Sequence, residues 1–157
     1  MAQLASLPQI HHISTDLRDS AQVLRLGTRV VDIDGGEWVY LRGTASVVIG
    51  GWVTYDESGQ TTLIADRAAP VAVAGTAHAG PGTFGFFQIY GNNSAAAAGK
   101  AIATDVQLYF DNGFAGFVDD TDVGTGTIIG ALSTAASSGS SVAVWLNYPH
   151  MNNAAID

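Results

Sequence analysis

Cysteine is absent from all 157 residues, which excludes disulfides, thiolate metal sites and cysteine nucleophiles together. Cations are scarce as well. Six Lys and Arg face fourteen Asp and Glu, for a formal net charge of −8. A phosphate backbone would be repelled by such a chain, so no nucleic-acid partner is expected. Lysine occurs once and glutamate twice, too few of the residues that coat helix surfaces for a helical bundle. No apolar run has the length of a membrane span, and no membrane partner is expected. The N-terminal MAQLASLPQIHHISTD lacks the basic start and continuous apolar stretch of a signal peptide, so the expectation is a soluble protein made and used without export.

What is present is apolar. Hydrophobic residues make up 47% and charged residues 13%, a balance opposite to that of a disordered chain. Nineteen glycines punctuate short runs of β-branched and aromatic residues. Arg29–Ile33 and Glu37–Leu41 flank Asp34-Gly35-Gly36, a strong hairpin signal because glycine supplies the positive φ of the tight turn. Val47–Ile49, Trp52–Tyr55, Thr61–Ile64, Val71–Ala74, Phe84–Tyr90, Val106–Phe110, Phe114–Val118, Thr127–Leu132 and Ser141–Tyr148 continue the pattern. The expected fold is all-β: a single small β-barrel or β-sandwich of about ten short strands with an extended N-terminal arm. Ala95–Ala103 suits a helix by its alanines and a strand by its glycine neighbours.

The domain limits read from this pattern are an arm at 1–25, a β domain at 26–151 and a tail at 152–157. The arm holds Leu4, Leu7, Ile10 and Ile13 without a period of two, and Asp16–Leu24 could carry a short helix capped by Ser14, Thr15 or Asp16. It reads either as a surface arm with one helical turn or as an extended segment that docks on a neighbour. In the last strand Val142, Val144, Leu146 and Tyr148 should share one face. In Phe84–Tyr90 apolar residues occupy both faces, which predicts cover on both sides, the second by another subunit.

Motifs for catalysis are missing. His11, His12, His78 and His150 have no metal-ligand spacing, and no nucleophile elbow or phosphate loop occurs. His150 is expected to cap or pack at the end of the last strand. Asp119-Asp120-Thr121-Asp122 lacks the glycine and later glutamate of a calcium loop, and reads as a solvated turn. Trp38, Trp52 and Trp145 sit in strand patterns where a core or interface role is commoner than sugar stacking. No enzyme activity, cofactor or metal is therefore expected. Charge is uneven along the chain: Arg18, Arg25, Arg29 and Arg42 fall in the first 50 residues, and no cation follows Lys100. Docking through the N-terminal side onto an acidic body, by Leu4, Leu7, Ile10, Ile13, Arg18 and Arg25, fits that distribution.

LGTRVVDIDGGEWVYLRG (26–43), GWVTYDESG (51–59), GTFGFFQIYGN (82–92), DVQLYFDNG (105–113), GTIIGALS (126–133) and AVWLNYPHM (143–151) resemble the head decoration, or capsid cement, proteins of tailed bacteriophages. The resemblance implies a virion structural protein, made in the bacterial cytoplasm. It would bind the outside of the capsid as a homotrimer and bridge neighbouring copies of the major capsid protein. The alternatives are a tail, neck or fibre-base protein, which copy number separates, and a carbohydrate-binding β-module or small hydrolase, which needs exposed tryptophans or converging carboxylates.

Overall fold

The computed structural model describes residues 18–65, 68–122 and 126–152. These residues contain eleven strands and no helix: β1 (Arg18–Asp19), β2 (Arg29–Val31), β3 (Glu37–Arg42), β4 (Trp52–Tyr55), β5 (Thr61–Leu63), β6 (Ala69–Ala74), β7 (Phe84–Ala98), β8 (Gln107–Phe110), β9 (Val118–Asp119), β10 (Thr127–Ser133) and β11 (Ser140–Asn152). The all-β expectation holds. All belong to one sheet, ordered β2-β3-β7-β9-β8-β10-β11-β6-β4-β5, with β1 on β7 and with β7 also pairing β11 and β6. Strands β7, β9, β8, β10, β11 and β6 thus form a ring of pairings, from which β2–β3 and β4–β5 project as hairpins.

The hairpins follow the turn residues. Gly35 takes φ 81° between β2 and β3, and Asp56–Gly59 turns β4 into β5. Two strands exceed the expected length. β7 runs 15 residues, through the alanines at 95–98, because Ala96 to Ala98 are buried against β11 and small side chains suffice there. The alanine stretch is a strand up to Ala98.

Four expectations are corrected. The described part of Asp16–Leu24 is not helical: Arg18–Asp19 pair with Gly85 and Phe84, and the chain to Leu24 is irregular. Val47–Ile49 is not a strand. Only Val47 makes a bridge, to His78, while Val48 and Ile49 face solvent. Tyr148 leaves the face of Val142, Val144 and Leu146, because β11 bulges opposite Gly130: Ala131 pairs Leu146 and Ile129 pairs His150. Tyr148 adopts φ 47° at this bulge, rare for a bulky residue, and its side chain turns outward. His150 lies inside β11, exposed, rather than at its end.

The largest core cluster fills the space between β4, β6, β7, β8, β10 and β11, with Trp52, Leu108, Ile128, Val144 and Leu146 fully buried. A second cluster joins Val39, Leu41, Val53, Ala72, Phe87 and Ile89. A third joins Trp38, Tyr40 and Phe86 beneath Leu24, Leu26, Val30 and Phe84. The second face of β7 is therefore covered by the chain's own residues 24–30, where another subunit was expected.

Candidate functional site

Two surfaces stand apart from this closed core. The first is the segment that enters the domain. Arg18, Arg25 and Arg29 are exposed, beside Val23 and Val31, which also face solvent. Among the described residues no carboxylate lies within ion-pair distance of any of the three, and the sole ion pair joins Lys100 Nζ to Asp119 Oδ2 at 2.6 Å. Arg18 donates to the Ala77 carbonyl at 3.4 Å. Behind this surface Tyr40 Oη donates to Asp19 Oδ2 (2.7 Å) and accepts from the Val23 N–H (3.3 Å). Burial, then the bond to Asp19, pushes the Tyr40 phenol above its usual range. Strand β2, at one end of the sheet, has no partner among the described residues on its outer edge. The expected docking residues thus divide. Arg18 and Arg25 are both exposed on this segment, while Leu4, Leu7, Ile10 and Ile13 lie outside the described residues.

The second surface is a groove of about 400 Å³ over the middle of β7. Its walls come from the β2–β3 turn, the loop carrying Ile49, the stretch Gly91–Ala95 and Trp145 of β11. Asp32 is fixed there by three donors: the N–H groups of Asp34 (2.9 Å) and Gly36 (2.7 Å) reach Oδ1, and Trp38 Nε1 reaches Oδ2 (2.8 Å). Gln88 ties the floor, donating to the carbonyls of Tyr90 (3.1 Å) and Asn92 (2.9 Å) and accepting from Asn93 Nδ2 (2.8 Å). Trp145 is 39% exposed. Its ring meets Tyr90 edge-on at 5.4 Å, and Tyr90 stacks on Tyr148 at 5.3 Å. Tyr148 Oη donates to Glu37 Oε1 at 2.8 Å, which raises the Tyr148 phenol. An aromatic wall thus continues from the groove onto the open sheet face.

The tryptophans separate accordingly. Trp52 is core and Trp38 is nearly so, as expected, but Trp145 stands in the open. The sequence contained a signal for this site. An Asp-x-Asp-Gly-Gly turn with Trp six residues after its first aspartate places an indole N–H beside a carboxylate in a hairpin. What it could not reveal is that β7 and β11 bring Tyr90 and Trp145 beside that turn.

The acidic run is not merely a solvated turn. Asp119 is buried, and burial alone would raise its carboxyl. Lys100 and the N–H groups of Asp120 and Thr121 outweigh that and hold it low. Asp120 accepts from the Ala103 N–H at 2.8 Å, so the run pins the end of β7 to β9. Among the described residues no group of three or more metal-ligating side chains converges. No protein-family model matches this chain, and neither a curated protein nor a solved structure does.

Proposed function

We propose that the protein is a structural component of a tailed-bacteriophage virion. It attaches to the outer capsid surface as a trimer and bridges neighbouring major capsid proteins without turnover. The observation that carries this reading is that the segment entering the domain exposes three arginines, Arg18, Arg25 and Arg29, and the apolar Val23, on a chain of net charge −8. Arginine with no carboxylate in ion-pair range among the described residues is suited to pairing across an interface, where its planar fork binds a carboxylate bidentately. The open edge of β2 supports the same reading, since a neighbour's extended segment could add a strand there. Many such contacts, each modest, sum through avidity on a repeating lattice.

Quantitative mass spectrometry of purified particles from the source tests the reading. A near-equimolar ratio to the major shell protein is expected. A few copies per particle would assign the protein to the tail or neck instead, and absence from particles would overturn the virion reading. On particles, Arg18→Glu with Arg25→Glu should reduce occupancy at least tenfold.

A further inference from the structure

The groove beside Trp145 lies away from Arg18 along β7, although its β2–β3 turn adjoins strand β2. Gly85, where β1 pairs, and Gly91, in the groove wall, are six residues apart on β7, roughly 20 Å at strand spacing. The groove's volume lies within the usual range of small-ligand sites. Its chemistry is selective. Among the described residues, Asp32 and Asp34 are the only ionisable side chains in its lining and no cation lines it, so a phosphorylated or carboxylated ligand would meet repulsion without a partner. A cationic ligand would be drawn by the Asp34 carboxylate, but Asp32 already accepts three hydrogen bonds, and the side chains of Asn92 and Ser94 carry donors that a cation cannot use. Donors and acceptors in mixture suit hydroxyl groups, which are both.

The indole of Trp145 supplies the remaining element. A pyranose ring has an apolar face of C–H bonds with partial positive charge, which complements the negative face of an aromatic ring. Trp145 is held edge-on by Tyr90, which is backed in turn by Tyr148, so the platform is braced before any ligand arrives. The positive φ of Tyr148 is a local strain that places its ring in this wall.

We propose that the groove between the β2–β3 turn, Gly91–Ala95 and Trp145 binds a neutral oligosaccharide, stacked on Trp145 and hydrogen-bonded by Asp34, Asn92 and Ser94. Asp32, held by Trp38, acts as a positioning residue for the turn that carries Asp34.

Intrinsic tryptophan fluorescence and amide NMR shifts of the full chain, titrated with neutral tetrasaccharides of glucose, galactose, mannose and N-acetylglucosamine, test this. Tri-lysine and inorganic phosphate serve as competing probes. At least one tetrasaccharide is expected to bind saturably with Kd on the order of 1 mM or tighter, with shifts at Asn92 to Ser94. Trp145→Ala should weaken that binding at least tenfold. Asn92→Ala and Asp34→Asn, at exposed positions, should each weaken it several-fold without changing the fold, so the outcome does not hang on one variant. Absence of saturable binding to all four sugars up to about 10 mM overturns the proposal. So does binding that survives Trp145→Ala, or tighter binding of tri-lysine or phosphate than of any sugar. Arg18→Glu with Arg25→Glu should leave sugar binding unchanged, which separates this site from the lattice-binding reading.

Discussion

The two faces of β7 are buried by different means. Phe87 and Ile89 point into a cluster with residues of β3, β4 and β6, of which β3 and β6 pair with β7 through their backbones and β4 pairs with β6. Phe86, one residue away, points to the opposite face, where Trp38 and Tyr40 lie beneath Leu24, Leu26 and Val30. That cover is irregular chain plus a two-residue strand and a three-residue strand. Sheet cover is cooperative, because removing one strand breaks a ladder as well as a packing surface. Loop cover is held by a few side chains and opens at a lower free energy. The surface proposed to dock on a capsid belongs to the second kind of cover, so attachment could clamp what the isolated domain leaves loose.

Four experiments would break or sharpen this contrast. Phe87→Ala should cost about 4 kcal/mol, because the strands around a fully buried ring cannot collapse into the space, and chemical denaturation would measure it. An equal loss from Phe86→Ala would erase the distinction between the faces.

Acid should act first on the sheet-covered face. His78 is buried there and stacks on Phe87 at 5.0 Å, with Nδ1 3.0 Å from Thr83 Oγ1 and no partner for Nε2. Burial, and less strongly Arg18, lowers its pKa from 6.5 to about 4. The folded state therefore keeps His78 neutral where the unfolded chain already takes a proton. This group leaves stability unchanged above pH 6.5, and stability falls as pH drops from 6.5 to 4, by up to about 3 kcal/mol. Denaturation midpoints across that window would record the fall, and His78→Gln should flatten it.

Deleting residues 1–25 should leave the domain folded but cost about 2 kcal/mol, since Leu24 and the bonds of Tyr40 to Asp19 and Val23 are lost while the backbone ladders of β3 and β7 remain. Loss of cooperative unfolding would show that the irregular segment is as integral as the strands. The smallest effect belongs to Tyr40→Phe, which keeps the ring and removes the hydroxyl. About 1 kcal/mol is expected, with faster amide exchange confined to residues 19–30.

Much of the fold was legible along the chain. Asp34-Gly35 and Asp56–Gly59 mark their hairpins because turn geometry is a local matter of φ. Alternation in Ser141–Leu146 marked a buried face, and it failed at Tyr148 because the bulge is set by the partner strand through Gly130. A β-carbon at Gly130 would lie 2.6 Å from the Asn147 carbonyl oxygen. The length of β7 was hidden for a related reason. Ala96 to Ala98 have no strand preference of their own and are extended because β11 pairs with them. The third cluster was legible as two-sided burial of Phe84–Tyr90, but not its cover, since irregular chain carries no period.

By itself the sequence determined the class of this protein. Glycine-punctuated β runs, few charges and no cysteine leave an all-β domain, and local turn chemistry places most of its strands. Only the tertiary structure decided what meets across them. Trp145 became exposed, Trp52 became core, Asp119 became a buried latch for Lys100, and the Asp32 turn came to lie beside β11. The physical reason is that strand pairing joins residues far apart in the chain. A side chain's surroundings in a sheet are set by partners whose identity and register no local pattern records.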